Sequence, residues 1–226
     1  VNEIASAVVN TDVQFGIIPI GSGNGLARGL GVPLNPIRAV RLLTTGSERR
    51  IDVGNVKGHY FFTTAGFGFD AVLGKRFDES KTRGPAPYYV AGVKEYFAYE
   101  QPEFEVEMNG EIRKSKALLV AVANVRQYGN NAIIAPNAVP DDGVLDLCFI
   151  RSMKFIPTIF HLPKLFTGHI SKAPSVELFQ GKEFIIRRKS PKVFSLDGEV
   201  FENEDEDIQV TIIPNALKVI VSDVKF

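Results

Sequence analysis

Two carboxylates and one glycine-rich bend are the residues whose types and spacing suggest chemistry. Asp197 and Glu199 flank Gly198 in "FSLDGEVF". Side chains two apart on a strand or tight turn share a face, so both acids can enter one cleft and serve a hydroxyl as base and orienting group. The same Asp-Gly pair is also a hairpin turn, and in that reading the acids are solvated. The complementary half is "FGIIPIGSGNGLARGLG" (15–31). An apolar run ends in glycines that let the backbone approach a ligand. A helix follows whose first N–H groups favour an anion. Ser22 and Asn24 add polar contacts, and Arg28 lies one turn into that helix. The dinucleotide pattern G-x-G-x-x-G fails here, because Leu26, or Arg28 in the other register, stands where the third glycine belongs. The Walker A pattern fails because no G-K-[ST] follows. On the loop alone, a tight strand-to-helix turn without a ligand is the alternative.

Other acids have a plain reading beside a chemical one. "NAVPDDGVLDL" carries Asp141, Asp142 and Asp146 and reads as a polar turn entering a strand. Carboxylates mixed with turn carbonyls also suit a hard cation. Asp52 in "RRIDVGNV" stands either in an ion pair with Arg49 or Arg50 or at a cleft. Asp70 in "GFGFDAV" reads as the cap of a helix beginning at Ala71. His59, His161 and His169 have no metal-ligand spacing with Cys148, which argues against zinc.

Composition removes several classes. The 226 residues carry 26 basic and 26 acidic side chains, so a general polyanion binder, and nucleic acid with it, is disfavoured. A single cysteine excludes an internal disulfide and fits a reducing compartment. No apolar run reaches the ~18–20 residues of a membrane span, and no signal peptide is visible.

The elements that must position these residues change character along the chain. Ile4, Ala7 and Val8 share a helical face in residues 1–10, and "VQFGIIPI" (13–20) predicts a buried strand. Asn35 and Pro36 open a helix with Ile37, Val40 and Leu43 on one face. From about residue 54 short strands recur roughly every ten residues, with Asn109-Gly110 the strongest hairpin signal. "APYYVAGVKEYFAYE" (86–100) predicts a helix. The expected fold is therefore α/β + β. A truncated Rossmann-like α/β nucleotide domain (1–53) precedes a larger, mainly antiparallel β-sandwich domain (54–213), with the tail 214–226 packing back on the first. "KFIPTIFHLPKLFTGHISK" (154–172) predicts an interfacial helix or a lid over an acyl-chain pocket, interrupted by Pro157 and Pro163, with a core-packed helix as the alternative.

"PIGSGNGLAR" resembles the second conserved block of the diacylglycerol, sphingosine and ceramide kinase superfamily, including its bacterial lipid-kinase branch. "AGFGFDA", "APNAVPDDGVLDL" and "SLDGEVF" continue the resemblance in the same order almost to the end of the chain. It implies ATP-dependent transfer of a γ-phosphoryl group to a lipid hydroxyl of the diacylglycerol or sphingoid-base type, with ATP and Mg2+. It further implies ATP phosphates on Gly21, Ser22, Gly23 and Asn24, with Asn2 and Arg28 at the same site. Asp197 and Glu199 then activate the hydroxyl, Asp52 joins the catalytic magnesium network, and Asp70 meets the lipid head group. Asp142 with the main-chain oxygens of Val139 and Val144 forms a structural magnesium site. Gly25 departs from the Asp usual in the bacterial branch, which puts any magnesium network relying on that Asp in doubt. The family's G-G-D-G-T motif would end just before Val1, so the chain reads as a piece of a longer protein and is expected to be inactive alone. A cytoplasmic protein, peripheral at the inner membrane face, with a homodimer as one arrangement, completes this reading. An NAD kinase-like enzyme and a non-catalytic lipid-binding module are the alternatives.

Overall fold

The computed structural model describes residues 1–79, 95–151, 154–190, 192–202 and 204–222. Most of the helix expected over 86–100 lies outside these residues, and 95–98 are helical. Three short helices come first: α1 (Asn2–Ala7), α2 (Gly25–Gly29) and α3 (Pro36–Thr45). Strands β1 (Ser47–Val56), β2 (His59–Phe61) and β3 (Thr64–Gly68) follow, then α4 (Phe69–Glu79). Next come β4 (Glu103–Met108), β5 (Glu111–Ala123), the small pair β6 (Gln127–Gly129) and β7 (Ala132–Ile133), and β8 (Leu145–Arg151). Helices α5 (Phe155–His161) and α6 (Pro163–Phe166) precede β9 (Val176–Gly181), β10 (Glu183–Arg187), β11 (Val193–Leu196), β12 (Glu199–Glu202) and β13 (Asp207–Val221).

Eleven strands form one antiparallel sheet in the order β12-β11-β3-β5-β4-β10-β13-β1-β2, with β8 and then β9 branching from β5. The long β5 folds this sheet on itself. Its first half pairs with β4, its second half pairs with β3 and β8, and the register shifts between Ala117 and Leu119. Phe104, Val106, Phe184, Ile186 and Ile208 on one limb meet Phe67, Val120, Leu147, Phe149 and Phe194 on the other, all buried. Period-two alternation thus closes a sandwich core, as expected from the strand spacing. Asn109 (φ 50°) and Gly110 (φ 78°) form the two-residue turn between β4 and β5, because both central residues of such a turn need positive φ.

A second apolar cluster joins Phe15, Ile17, Leu26 and Leu30 to Leu217, Val219 and Val221 of β13. The expected strand over 13–20 reduces to one parallel bridge, Phe15 to Val219, with the Phe15 amide donating to Lys218 O at 2.8 Å. Phe15 and Ile17 are buried while Ile18 and Ile20 are exposed, so this segment covers the sheet with one face only. Asn35 caps α3 as expected, accepting from the Ile37 and Arg38 amides. The core-facing residue of that helix is Ala39, however, and Ile37, Val40 and Leu43 face outward. In α1 likewise Ala5 is buried and Ile4 exposed.

Candidate active site

Among the described residues, Asp197 is the acid with the most hydrogen-bond donors around it. Asp197 (φ 51°) and Gly198 (φ 93°) form the two-residue turn joining β11 to β12, where Leu196 pairs with Glu199. The Asp-Gly hairpin reading is therefore correct, yet the carboxylate is half-buried and fully engaged. It turns inward onto the bend that leads into β3. Oδ1 accepts from the Thr63 amide at 2.7 Å, the Thr63 hydroxyl at 2.5 Å and the Thr64 amide at 3.2 Å. Oδ2 accepts from the Phe62 amide at 3.0 Å and from Asn2 Nδ2 at 2.8 Å. Successive amides pointing at one anion form a fixed cradle. Glu199, at the start of β12, is exposed and has no ion pair among the described residues. The structure thus separates the two acids: one is held, the other is open.

The glycine bend lies against the same cradle. Asn24 (φ 49°) closes it by accepting from the Gly21 amide at 3.1 Å and donating to Gly21 O at 2.7 Å. Arg28 Nε donates to Gly23 O at 3.2 Å, and Arg28 Nη1 reaches Asn131 Oδ1 at 3.4 Å. Both side chains therefore brace the loop, leaving the backbone and the exposed Ser22 to meet a ligand. A Cβ on Gly25 would lie 3.5 Å from Thr63 Cγ2, and it is the Thr63 hydroxyl that bonds Asp197. One residue thus separates the bend from the anchored carboxylate. Asn2, expected at the nucleotide, spends its amide on Asp197 and on Tyr60 O at 2.9 Å.

Asp70 does not cap a helix that starts at Ala71. Helix α4 begins at Phe69, and the Asp70 carboxylate turns into the sandwich. Oδ2 accepts from the Tyr128 hydroxyl and from Ser195 Oγ at 2.8 Å. Oδ1 is buried with no hydrogen-bond partner among the described residues. Burial holds this carboxyl above the usual range. Gly66 makes the arrangement possible, since a Cβ there would overlap Asp70 Oδ2. Ser195, on β11, precedes the turn residue Asp197 by two positions. Tyr99, whose hydroxyl burial also pushes its pKa up, and Arg188, lowered by burial to about 10, complete a polar lining beneath Asp70.

Asp52 is enclosed. It sits where the β1–β13 register shifts, between Ile51 and Val53, and has no exposed surface. Its Oδ2 accepts from the Gly143 amide at 2.7 Å and its Oδ1 from the Asn215 amide at 2.8 Å. Its own amide donates to Pro140 O, and Asn124 Nδ2 donates to Asp52 O. Asp52 fastens the 140–143 turn to the sheet and, with no exposed surface, cannot reach a nucleotide in this conformation.

In that turn Asp142 is exposed, and its Oδ1 accepts from the Val144 amide at 3.1 Å. Asp141 pairs with Arg49 at 2.6 Å. One carboxylate with an open oxygen beside turn carbonyls is a donor set suited to Mg2+. Asp146 is buried, with only 3.4 Å contacts to Gln180 Nε2, and burial pushes it up to about 6. The folded state therefore favours its neutral form. That stabilisation is complete below the unfolded value near 4 and is lost as pH rises past about 6. Asp146→Asn is expected to raise the melting temperature by several degrees at pH 8 in EDTA and to change it little at pH 4. Equal shifts at both pH values would contradict this.

Sequence reasoning missed Thr63, Tyr128, Ser195 and Asn124. Ser195 stands inside a quoted motif and Thr63 just before another, but nothing local shows that any of the four side chains turns toward a residue far away in the chain.

The comparisons follow this geometry. The family described as "YegS C-terminal NAD kinase beta sandwich-like domain" matches residues 63–221, and "Diacylglycerol kinase catalytic domain" matches residues 1–56. A diacylglycerol kinase of Mycobacterium tuberculosis (strain ATCC 25618 / H37Rv) is 31% identical over 174 residues, covering 71% of this chain and 56% of that protein. A protein named "Probable lipid kinase YegS-like" from Yersinia enterocolitica is 27% identical over 225 residues, covering 96% of this chain and 74% of its own length. A solved Bacillus anthracis str. Sterne diacylglycerol kinase aligns with TM-score 0.65 and 19% identity, covering 93% of this chain and 67% of that one. A second solved chain from that organism gives TM-score 0.76 and 23% identity over 98% of this chain and 74% of the other. These two likenesses concern the fold.

Proposed function

Because the chain belongs to the diacylglycerol kinase family with a YegS-type C-terminal domain, we propose that its protein transfers the γ-phosphoryl group of ATP to a lipid hydroxyl. The observation that carries this reading is the junction Gly25–Thr63–Asp197, which sets a phosphate-type loop against an anchored carboxylate.

We assign the roles on the strength of this geometry. Backbone amides of the Gly21–Gly25 bend hold the phosphates of ATP, with Ser22 beside them and Asn24 and Arg28 keeping the bend closed. Asp197, immobilised by the Phe62–Thr64 amides and Asn2, orients the acceptor hydroxyl. Glu199, open and unpaired among the described residues, takes its proton as the oxygen attacks in line. Asp70 receives the polar head of the acceptor at its unpartnered Oδ1. Mg2+ supplies charge neutralisation on the transferred phosphates, and a structural Mg2+ would be held by Asp142 with main-chain oxygens of Val139 and Val144. Location at the cytoplasmic face of a membrane follows from a lipid acceptor and from ATP.

The alignment spans 56–74% of the relatives' own lengths. Ile4, Ile20, Ile37 and Val40 are each exposed. We therefore assign the activity to the polypeptide that carries the family's full nucleotide-binding part, and expect none from the 226 residues alone.

The test offers the full-length polypeptide ATP with diacylglycerol, a sphingoid base or NAD as acceptor. Phosphorylated lipid is the expected product. Phosphorylation of NAD alone would end the lipid reading, and tight lipid binding without turnover would favour a non-catalytic module. Measurable transfer by the 226 residues alone would contradict their assigned dependence on the rest.

A further inference from the structure

Among the described residues, helices α5 and α6 stand apart from the other helices in their surface. Neither contains a buried residue. Pro157 lies in the first turn of α5, where a missing N–H costs nothing, and Pro163 starts α6, so the segment forms two short helices. The segment touches the core through Leu165, which is partly buried against the cluster of Leu118, Ala121 and Ile134, and leaves most of its apolar side chains exposed. Ile156 (67% exposed), Ile159, Phe160 (76%), Leu162 and Phe166 project from them, and Phe97 (67%) stands beside them with its ring 4.5 Å from that of Phe155. Isolated exposed apolar residues need no explanation, but six on one ridge do.

Two further observations say what covers this ridge. The first is charge. Residues 151–176 hold Arg151, Lys154, Lys164 and Lys172 and no acidic residue, in a chain whose net charge is zero. Arg151 pairs with Glu177 at 3.1 Å, while the three lysines pair with no carboxylate among the described residues. The second is continuity with the site. Phe155 contacts Tyr96 at 5.3 Å between ring centroids, Tyr96 contacts Phe69 at 6.1 Å, and Phe69 contacts Tyr99 at 5.6 Å. Phe69 is the neighbour of Asp70. An aromatic path therefore runs from the exposed ridge to the carboxylate proposed to meet the head group.

We propose that the α5–α6 ridge, with Phe97, is the surface by which the protein inserts into an anionic lipid bilayer. The apolar side chains enter the acyl boundary, Lys154, Lys164 and Lys172 face the lipid phosphates, and the aromatic path leads an acceptor from the bilayer toward Asp70. The inference deepens the lipid-kinase reading and rests on it for the acceptor alone.

The test is sedimentation of the full-length protein with vesicles free of diacylglycerol and without nucleotide, so its outcome does not depend on turnover. Vesicles of phosphatidylcholine are compared with vesicles that also contain phosphatidylglycerol. Ile156→Glu/Phe160→Glu is expected to lower partition onto the mixed vesicles by about tenfold or more, without lowering the melting temperature. Lys154→Gln/Lys164→Gln is expected to lower it about tenfold on mixed vesicles and to leave weak binding to pure phosphatidylcholine unchanged. Ile112→Glu, at another exposed apolar position on β5, is the control and should behave as the parent protein. Parent-like partition of both ridge variants overturns the proposal. It is overturned equally if the ridge variants only abolish a concentration-dependent association of two copies, which would make the ridge a dimer face.

Discussion

Asp197→Ala is expected to lower stability by about 2–4 kcal/mol and to reduce phosphoryl transfer by about 10²–10⁴, whereas Glu199→Gln is expected to reduce transfer alone. The asymmetry comes from their partners. Removing the Asp197 carboxylate strips acceptors from the Phe62, Thr63 and Thr64 amides, the Thr63 hydroxyl and the Asn2 amide together. Each donor forfeits a charge-assisted bond, and water restores only part of it. The bend before β3 and the start of α1 should both loosen. Glu199 is exposed and bonds nothing described, so its truncation leaves every fold contact in place. Chemical denaturation of both variants, beside their rate with diacylglycerol and ATP, checks the pair. Equal destabilisation by the two substitutions would show that Asp197 is not the anchor described.

Asp70→Asn is expected to act in opposite directions on stability and on substrate binding. The carboxylate accepts from Tyr128 and Ser195 through one oxygen and keeps the other buried without a partner. Burial raises its pKa, so ionised Asp70 opposes folding at neutral pH. The contribution of the neutral acid is present below the unfolded value and lost as pH rises through the raised folded value. A neutral amide of the same shape removes that dependence, so the variant should melt at the same or a higher temperature at pH 8. Its KM for the lipid should rise about 10–100-fold, the range for a lost hydrogen bond to a charged group. The KM for ATP should stay close to that of the parent, because no side-chain bond among the described residues joins Asp70 to the glycine bend. A fall in melting temperature with an unchanged lipid KM would reduce Asp70 to a structural acid.

What the sequence made legible was local. The Asn109-Gly110 turn, the Asn35-Pro36 helix start and the recurrence of short strands depend on neighbours within a few residues, and the structure has them where they were expected. The Asp197-Gly198 turn was equally legible, but not the direction of its carboxylate, because the amides that hold it are about 135 positions away. The enclosure of Asp52 depends on a register shift opposite Asn215, 163 positions on, which no local pattern encodes. Asp70 turned from an expected cap into an inward acid because Tyr128 and Ser195 approach it from distant strands. The outward faces of α1 and α3 have the same origin. Periodicity marks an apolar face, but not whether these residues supply what covers it.

The most direct measurement is the structure of the full-length protein with Mg2+ and a non-hydrolysable ATP analogue. The account predicts the triphosphate on the amides of the Gly21–Gly25 bend. Its terminal phosphorus should lie close enough to Asp197 and Glu199 for a single hydroxyl to fit between, within roughly 6 Å. A triphosphate bound away from that bend, or phosphates seated there with both acids out of reach of an acceptor, would contradict it.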